Sequence, residues 1–418
     1  MKVAVIGAGV IGITTAYELA AQGHQVSVFE RNGAAAEESS FANTGIASVG
    51  YAAPWARPGM VKHVLTHLFK SDTPLRLCSP GMSDWRWLWQ MRKACASSTF
   101  TRNRVNMLRL AEYSSYRLHA LTETLNLEYE HSQGFMVLLR SEREIQLMQD
   151  TLQVVRDAGL SFQTLNAEQA RSIEPALNPE TALAQAIHFP EDDIGNCRQF
   201  TLLLKSEAES LGTKFHFNTN VLPLSNAQPK VIRTSEGDIG EKFDAIVICA
   251  GLASAQLLRP LGLRIPLAAV HGYAISAAVR EPLDAPRSGV IDEQYKVAIS
   301  RLGQRVRVSG GSEIGKDVKR HNAASIKTLY RVLDQWFPGA ARTQDNVQVW
   351  KGSRPMLPDG PPILGASGVS GVWLNIGHGA NGWTLACGSA RAVADCINGK
   401  NPDIDLQGLG LERMQLQR

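Results

Sequence analysis

The feature that most constrains the fold of this chain is a glycine pattern near its start, Gly-Ala-Gly-Val-Ile-Gly over residues 7–12. A β-branched and apolar run at residues 3–6 precedes it and predicts a strand buried on both faces. Apolar positions with helical spacing follow as far as Gly23, and residues 26–29 predict a second strand that ends at Glu30. This order of strand, glycine turn, helix, strand and terminal acid predicts a dinucleotide-binding unit.

Each glycine of the pattern has a physical role. Gly7 permits the tight turn, Gly9 lets the backbone approach a pyrophosphate, and Gly12 lets the helix pack closely on the strand. The helix N-terminus offers N–H groups and the positive end of its dipole to the phosphates. The carboxylate of Glu30 is placed to accept hydrogen bonds from ribose hydroxyls. The motif does not distinguish NAD from FAD, so the rest of the chain has to decide.

Two later segments resemble the opening order of a buried strand followed by a turn of small residues. An apolar run at residues 243–251 predicts a buried strand that ends in a small-residue turn, and residues 372–376 predict another strand. The latter is followed by Gly377, Gly379 and Gly382 and then by a predicted helix. The first of these strands is expected to join the N-terminal sheet, and the glycine turn after the second is expected to meet the same cofactor. We therefore predict an α/β fold with a discontinuous, Rossmann-like nucleotide domain.

The middle of the chain predicts a different architecture. Residues 60–125 and 142–158 predict helices, the second with a clear apolar face. Residues 265–312 predict antiparallel strands, with a hairpin over residues 295–309.

Charge and cysteine usage exclude several classes of function. The chain has 43 Lys and Arg against 39 Asp and Glu, which is not the basic surplus of a nucleic-acid-binding protein. Six scattered cysteines form no Cys-x-x-Cys pair, and His63 and His67 lack a third metal ligand, so no metal site is expected. The start of the chain does not resemble a cleavable signal, and no apolar run reaches the roughly 18 residues of a membrane span. These features predict a cytoplasmic protein, or one peripheral on the cytoplasmic face of the inner membrane.

Several further segments carry a resemblance to a known family. They are residues 40–43 (Ser-Phe-Ala-Asn), 50–55 (Gly-Tyr-Ala-Ala-Pro-Trp), 292–296 (Asp-Glu-Gln-Tyr-Lys), 354–360 (Arg-Pro-Met-Leu-Pro-Asp-Gly) and 377–384 (Gly-His-Gly-Ala-Asn-Gly-Trp-Thr). With the opening glycine motif, they make the chain similar over nearly its whole length to bacterial FAD-dependent D-amino acid dehydrogenases of the small-subunit type. The segment 354–360 is shared more widely with amine-oxidising flavoproteins such as glycine oxidase and sarcosine oxidase.

The resemblance implies noncovalently bound FAD and two domains. An FAD-binding domain would comprise residues 1–80, 195–262 and 345–418, and an α+β substrate domain built on an antiparallel sheet would comprise residues 81–194 and 263–344. It also implies oxidative deamination of a D-amino acid to a 2-oxo acid and ammonia, by hydride transfer from Cα to the flavin. Electrons would then pass to a quinone or another non-oxygen acceptor of the respiratory chain.

The resemblance and the glycine motifs together assign a set of residues to the cofactor. They are Gly7, Gly9, Val10, Ile11, Gly12, Glu30, Arg31, Ser40, Asn43, Val221, Gly251, Gly379, Gly382, Trp383 and Thr384.

A smaller set of residues is assigned to the reaction. Arg354 is the candidate that clamps the substrate carboxylate, because a guanidinium binds a carboxylate through two parallel hydrogen bonds. Tyr51, Tyr273 and Tyr295 are candidates for hydroxyl donors or pocket-closing residues, or else ordinary packed aromatics. His378 is a candidate for tuning the substrate amine, although its glycine neighbours favour a role in placing backbone near the flavin. Small or apolar substrate side chains are expected, and a strongly cationic substrate has no identified partner because no acidic residue is assigned to the pocket.

Some alternatives remain open from the sequence. Departures from the family pattern at His271, Ser353 and Ile376 leave the substrate side chain undecided. An oxygen-using amine oxidase acting on glycine, sarcosine or a cyclic imino acid fits the segment 354–360 equally well, and a flavin-binding electron-transfer subunit is a further alternative. The tryptophan-rich and basic segment 85–93 suits either a membrane interface or a domain core.

Overall fold

The computed structural model describes residues 1–60, 75–315 and 321–415. The strands in chain order are β1 (Lys2–Ile6), β2 (Gln25–Phe29), β3 (Ile46–Ala47), β4 (Leu75–Cys78), β5 (Ser132–Leu139), β6 (Gln163–Leu165), β7 (Gln185–Ile194), β8 (Lys214–His216), β9 (Val231–Thr234), β10 (Gly237–Lys242), β11 (Ala245–Ile248), β12 (Ala268–Ala278), β13 (Gly289–Asp292), β14 (Val297–Leu302), β15 (Arg305–Gly315), β16 (Gln348–Met356), β17 (Ile363–Ala366) and β18 (Val372–Ile376). The α-helices are α1 (Val10–Ala21), α2 (Met82–Ala94), α3 (Ser97–Leu125), α4 (Glu142–Asp157), α5 (Ala167–Ile173), α6 (Cys197–Ser210), α7 (Ser254–Leu258), α8 (Ala323–Trp336), α9 (Gly382–Ile397) and α10 (Glu412–Gln415). Short 3₁₀ turns lie at Gly251–Ala253, Arg259–Leu261 and Gly379–Asn381.

The first sheet is six-stranded, in the order β17-β18-β11-β1-β2-β8. Its strands are parallel except for β17, which pairs antiparallel with β18 at one edge. The central strand β1 is buried from Val3 to Ile6, as its apolar run predicts. Because β11 pairs with β1 and β18 pairs with β11, the prediction that later strands rejoin the N-terminal sheet is confirmed.

Helices cover this sheet and bury its apolar faces. The helices α1 and α6 pack together on one side, α9 packs against α1, and α3 packs against α9. Gly388 of α9 allows the close crossing with α3, because a Cβ there would lie 2.8 Å from the Cα of Ser114. The parallel strands are therefore enclosed, and their carboxyl ends form the accessible edge.

The second sheet is built on the path β16-β12-β15-β14-β13-β5-β7-β3, with β4 beside β15 and β6 beside β7. Most of its pairs are antiparallel, and the pairs β13–β5 and β4–β15 are parallel. The predicted hairpin is confirmed as β14 and β15. The amphipathic helix α8 packs on β12, β14 and β15 and closes a second apolar core around Trp336. The α/β class with a second, mainly antiparallel sheet is thus as predicted.

Some details differ from the sequence prediction. The helical prediction for residues 60–125 is wrong at β4, because that segment pairs in parallel with the end of β15. Residues 61–74, with His63 and His67, lie outside the described residues. The domain division stays a prediction, and the strands β3, β4 and β16 that it placed in the FAD-binding part belong to the second sheet. Within the described ranges no helix has both the length and the apolar character of a membrane span.

Candidate active site

A cavity of about 720 Å³ lies at the carboxyl ends of the parallel strands and extends to the second sheet. The turn after β1 contributes Gly7 and Gly9, β12 contributes Val270 and Gly272, and β16 contributes Arg354. This edge of an α/β sheet is where ligands usually bind. The glycine motif and the segment around Arg354, 345 positions apart in the chain, therefore line one cavity.

The glycine turn is built for a ligand that approaches the backbone closely. A Cβ at Gly12 would lie 1.8 Å from the carbonyl oxygen of Gly7, so glycine is required for α1 to pack on this turn. Gly9 lines the cavity, where a Cβ would meet the Ser40 Oγ at 3.4 Å. The backbone N–H of Val10 donates to that Oγ at 3.1 Å, and no acidic side chain stands in the first turn of α1. This end of the helix suits the pyrophosphate of a dinucleotide.

Glu30 directly follows β2, and hydrogen bonds fix the orientation of its carboxylate. Its Oε2 accepts the backbone N–H of Ala8 at 2.8 Å, and its Oε1 accepts the backbone and side-chain N–H groups of Asn32 at 2.9 Å. The residue also lines the cavity. A carboxylate has about four lone-pair sites, so capacity remains to accept a ribose hydroxyl.

The other residues that the sequence assigned to the cofactor occupy the same cavity wall, apart from Gly12, which acts through packing. They are Val10, Ile11, Arg31, Ser40, Asn43, Val221, Gly251, Gly379, Gly382, Trp383 and Thr384. Helix α9 begins at Gly382, so the positive end of its dipole lies at the cavity. The set fits a dinucleotide cofactor that spans from the glycine turn to the second sheet.

Two thiols line the cavity, and neither is a nucleophile. Burial raises the pKa of Cys197 to about 12 and that of Cys249 to about 12. Both groups therefore stay protonated near neutral pH, whereas the thiolate is the form that attacks a flavin or a disulfide. No cluster suited to a metal ion occurs among the described residues.

Arg354 is placed for a carboxylate. Its guanidinium lies against Gly272, where a Cβ would be 2.5 Å from Nη2, and its Nη1 donates to the carbonyl oxygen of Gly311 at 3.0 Å. Burial lowers the pKa of Arg354. Among the described residues no carboxylate lies within ion-pair distance of this side chain. The remaining N–H groups are therefore available to an anionic ligand in the cavity.

Two of the predicted tyrosines are held by partners within the fold, although Tyr273 also lines the cavity. The hydroxyl of Tyr273 donates to Glu313 Oε2 at 2.9 Å and accepts the backbone N–H of Asn322 at 3.1 Å, so it is committed to the fold. Burial raises the pKa of Tyr273 to about 12. Tyr295 does not line the cavity, and guanidinium groups of Arg140 and Arg331 lie 5.4 and 4.7 Å from its ring centre. A substrate contact by Tyr295 does not fit this packing.

Tyr51 lines the cavity, as the sequence predicts, within a charged cluster. Its hydroxyl donates to Glu293 Oε2 at 2.9 Å and accepts from Lys296 Nζ at 3.0 Å. Lys296 also forms an ion pair with Glu293, and Arg57 Nη1 lies 3.9 Å from Glu293 Oε1. Burial and the charge of Glu293 raise the pKa of Tyr51 well above its usual value, and the charges of Arg57 and Arg104 oppose this. The segment 292–296 was recognised from the sequence, but its charged side chains were not assigned to the site.

Arg104 is a functional candidate that the sequence analysis missed. It lies on α3, lines the cavity and is 1% exposed. Its Nε and Nη2 atoms are buried without a hydrogen-bond partner among the described residues. Burial lowers the pKa of Arg104 to about 10, which leaves the group charged at neutral pH. No sequence signal marks it, because arginines recur along α3 and most such residues face solvent.

His378 is buried at the cavity wall, in surroundings that disfavour its protonated form. Its Nε2 lies 3.1 Å from the Ser389 Oγ, and burial lowers the pKa of His378 to about 3. The residue forms an isolated bridge to Met356 of β16. This environment fits the predicted structural role in the glycine turn and not an acid–base role.

Two of the departures from the family pattern contact each other. His271 and Ser353 are partners in the register of β12 and β16, and His271 Nδ1 lies 2.8 Å from the Ser353 Oγ. The two side chains therefore lie together, next to Arg354 on β16.

Comparison with known proteins gives a consistent result. A family model described as FAD dependent oxidoreductase matches residues 2–396. The D-amino acid dehydrogenase of Agrobacterium fabrum (strain C58) is 38% identical over 418 residues, covering 99% of each chain. The D-amino acid dehydrogenase of Bradyrhizobium diazoefficiens is 38% identical over 420 residues, again covering 99% of each chain. The solved structure of glycine oxidase from Geobacillus kaustophilus has the same fold, with a TM-score of 0.77 at 23% identity over 98% of this chain and 97% of that chain.

Proposed function

The chain belongs to the FAD dependent oxidoreductase family, and we propose that it catalyses the oxidative deamination of D-amino acids to 2-oxo acids and ammonia. Two relatives, each 38% identical over 99% of this chain, are named D-amino acid dehydrogenase. The observation that carries the proposal is the guanidinium of Arg354, which has no carboxylate partner among the described residues. It lines the same cavity as the dinucleotide turn, so a carboxylate ligand and the cofactor would share one chamber.

FAD is the cofactor of this family, and when bound it supplies the hydride acceptor. Gly7, Gly9 and Ser40 would hold the pyrophosphate, and Glu30 would accept hydrogen bonds from the adenosine ribose. We propose a noncovalent complex, because the protonated thiols of the cavity wall offer no nucleophile for a covalent link.

Arg354 has the central part in positioning the substrate. Two parallel hydrogen bonds to the α-carboxylate would fix the direction of the Cα–H bond relative to the cofactor. The substrate amine binds as the free base, so that its lone pair assists the departure of the hydride. Burial lowers the pKa of His378 to about 3, which makes it a poor acceptor for the amine proton, so we assign the release of that proton to water before the hydride leaves. Water then hydrolyses the resulting imine to the 2-oxo acid and ammonia.

Anaerobic reduction of the bound flavin tests this function. We expect loss of the yellow absorbance on mixing with D-amino acids, and little change with the matching L-amino acids or with N-methylglycine. Faster reduction by an L-amino acid or by N-methylglycine contradicts the proposal. Stoichiometric peroxide during aerobic turnover would instead indicate the oxygen-using amine oxidase.

We propose further that the electrons pass to a quinone at the cytoplasmic face of the inner membrane. On α2, Met82, Trp85 and Trp89 are 88%, 55% and 53% exposed, and Lys93 Nζ lies 3.7 Å from the centre of the Trp89 ring. Trp87 of the same helix is buried, so the segment has one core tryptophan and an exposed aromatic and basic face. Such a face suits the interface of an anionic bilayer.

Vesicle binding tests the membrane contact. The double variant Trp85→Ser/Trp89→Ser should lose sedimentation with anionic vesicles while its flavin is still reduced by a D-amino acid at the normal rate. Equal sedimentation of the variant and the wild-type protein would contradict a role for this face. If neither the variant nor the wild-type protein turns over with a soluble quinone analogue as electron acceptor, the proposed acceptor is wrong.

A further inference from the structure

The cavity holds more positive charge than one α-carboxylate requires. Around the Tyr51 hydroxyl, the wall contributes Arg57, Arg104 and Lys296 against the single carboxylate of Glu293. Glu293 already accepts from Tyr51 and Lys296 and lies within ion-pair distance of Arg57. The carboxylate of Glu293 is therefore already used by Tyr51 and Lys296. It forms no hydrogen bond with the Nε or Nη2 of Arg104.

Arg104 carries the strongest indication of a ligand. It is 1% exposed, yet Nε and Nη2 have no acceptor among the described residues. A buried guanidinium without a partner opposes folding, since the charge has lost water and gained nothing in exchange. A group in this state, facing a cavity, is explained when an anion completes its hydrogen bonds in the working protein.

The second cationic site is separate from the first. The hydrogen bonds and ion pairs that join Arg57, Lys296, Tyr51 and Glu293 do not include Arg354, whose Nη1 donates to the carbonyl oxygen of Gly311 instead. Arg354 sits on the second sheet against Gly272, and Arg104 sits on the long helix α3. Two separated cationic sites in one chamber match a molecule that carries two anionic groups.

We infer that this chain prefers D-amino acids whose side chain ends in a carboxylate, with Arg354 holding the α-carboxylate and Arg104 holding the side-chain carboxylate. The inference rests on the proposed function and names its substrate class. Arg57 and Lys296 add favourable charge around the second carboxylate, while Glu293 holds them in place. This replaces the sequence-based expectation of small or apolar substrate side chains, which was made without Arg57 or Arg104.

The first experiment compares D-glutamate with D-glutamine in anaerobic flavin reduction. The two substrates have the same length and shape and differ in the charge of one terminal group. Since a hydrogen bond to a charged group is stronger than a neutral one, D-glutamate should be favoured about 10- to 100-fold in the efficiency of reduction. D-aspartate and D-2-aminoadipate, one methylene shorter and longer, then define the spacing between the two cationic sites.

The second experiment removes the charge of Arg104. Arg104→Met should lower the efficiency with D-glutamate about 10- to 100-fold, lower that with D-glutamine less, and change that with D-alanine little, because the D-alanine side chain does not reach Arg104. Arg104→Lys should restore part of the preference, because an ammonium keeps the charge and loses the fork geometry. Arg102→Met is the matched control, since Arg102 lies two residues away on the exposed side of the same helix.

Binding without turnover supplies an independent readout. Glutarate carries two carboxylates and no amine to oxidise, and butyrate carries one carboxylate on a chain one carbon shorter. Glutarate should perturb the flavin spectrum at a concentration about tenfold or more below that for butyrate, and Arg104→Met should remove this difference. This comparison, like that of D-glutamate with D-glutamine, can be made on the wild-type protein even where Arg104→Met does not fold.

The outcomes distinguish failure of this inference from failure of the proposed function. If no D-amino acid reduces the flavin, the proposed function is wrong. If D-alanine and D-glutamine reduce it as efficiently as D-glutamate, the function stands and the inference is overturned. Equal loss with every substrate in Arg104→Met, or loss of FAD, also overturns it, because the guanidinium would then serve the cofactor or the fold.

Discussion

Replacing Arg354 by alanine tests directly how the site holds its substrate. The side chain is half-buried in the cavity wall, its Nη1 donates to the carbonyl oxygen of Gly311, and its remaining N–H groups meet no carboxylate among the described residues. The substitution removes one positive charge and the planar fork that binds a carboxylate through two hydrogen bonds. It leaves the glycine turn of β1 and α1 unchanged, so cofactor binding and fold should persist.

The expected magnitude follows from the two lost bonds. A hydrogen bond to a charged group contributes about 1.5–3 kcal/mol, so two contribute about 3–6 kcal/mol. At 1.4 kcal/mol for each factor of ten, Arg354→Ala should lower the efficiency of flavin reduction by about two to four orders of magnitude. The single bond to Gly311 limits the effect on stability to about 1 kcal/mol.

Stopped-flow measurement of flavin reduction under anaerobic conditions provides the assay. The FAD content and the thermal unfolding of Arg354→Ala serve as controls for cofactor and fold. Arg354→Lys should recover only part of the efficiency, because an ammonium cannot form the planar two-bond contact. Amines without a carboxylate should lose little from either substitution.

Near-normal kinetics of Arg354→Ala on its best D-amino acid would refute this reasoning. Another guanidinium would then hold the α-carboxylate, and Arg57 or Arg104 would be the next to replace, because both line the cavity. Arg305 and Arg307, on the neighbouring strand, are weaker alternatives. Arg305 pairs with Glu130, Arg307 donates to the backbone of Asn43, and neither lines the cavity.

Three further predictions use the same cavity. Gly272→Ala should mimic the loss of Arg354 without removing its charge, since the new Cβ would lie 2.5 Å from Nη2; normal D-amino acid reduction by this variant would contradict the placement of the guanidinium. Gly9→Val should yield folded protein without FAD, because a branched side chain would occupy the pyrophosphate space, and a yellow variant would contradict this. His378 has its pKa lowered by burial to about 3 from an ordinary 6.5, so the unfolded chain binds more protons between these values and stability should fall as pH drops through that window. Denaturant unfolding should show a loss of about 2 kcal/mol from this group between pH 8 and pH 5, and His378→Gln should show a correspondingly smaller decrease.

The sequence predicted the nucleotide-binding part of the site well because its signals are local. Gly7, Gly9 and Gly12 act within one turn, and the apolar runs of β1 and β2 show by themselves that both faces are covered. The position of Arg354 was predicted through a segment resemblance, and the structure places that side chain in the same cavity. Helix α4 was likewise predicted from its own periodic apolar face.

The surroundings of the substrate could not be predicted in the same way. Tyr295 lies in a recognised segment, yet its ring lies near the guanidinium groups of Arg140 and Arg331 and does not line the cavity. Whether a strand-end side chain faces the ligand or the core depends on the turn that follows, and Lys296 adopts a left-handed conformation there, with a φ of 51°. The hydrogen bond that commits Tyr273 to Glu313 joins strands 40 residues apart in the chain.

By itself, then, the sequence determined the class of fold and the dinucleotide turn. These features depend on backbone conformation and burial over short stretches, which glycine spacing and apolar periodicity specify. The positive charge of the cavity wall, in contrast, follows only from the tertiary structure. Arg57, Arg104 and Lys296 come from a loop, a long helix and a turn between strands, and meet around Tyr51 because packing of the helices and the second sheet brings these elements together. No local pattern distinguishes the buried Arg104 from the exposed Arg102, since burial is a property of what packs against a residue and not of its neighbours in the chain.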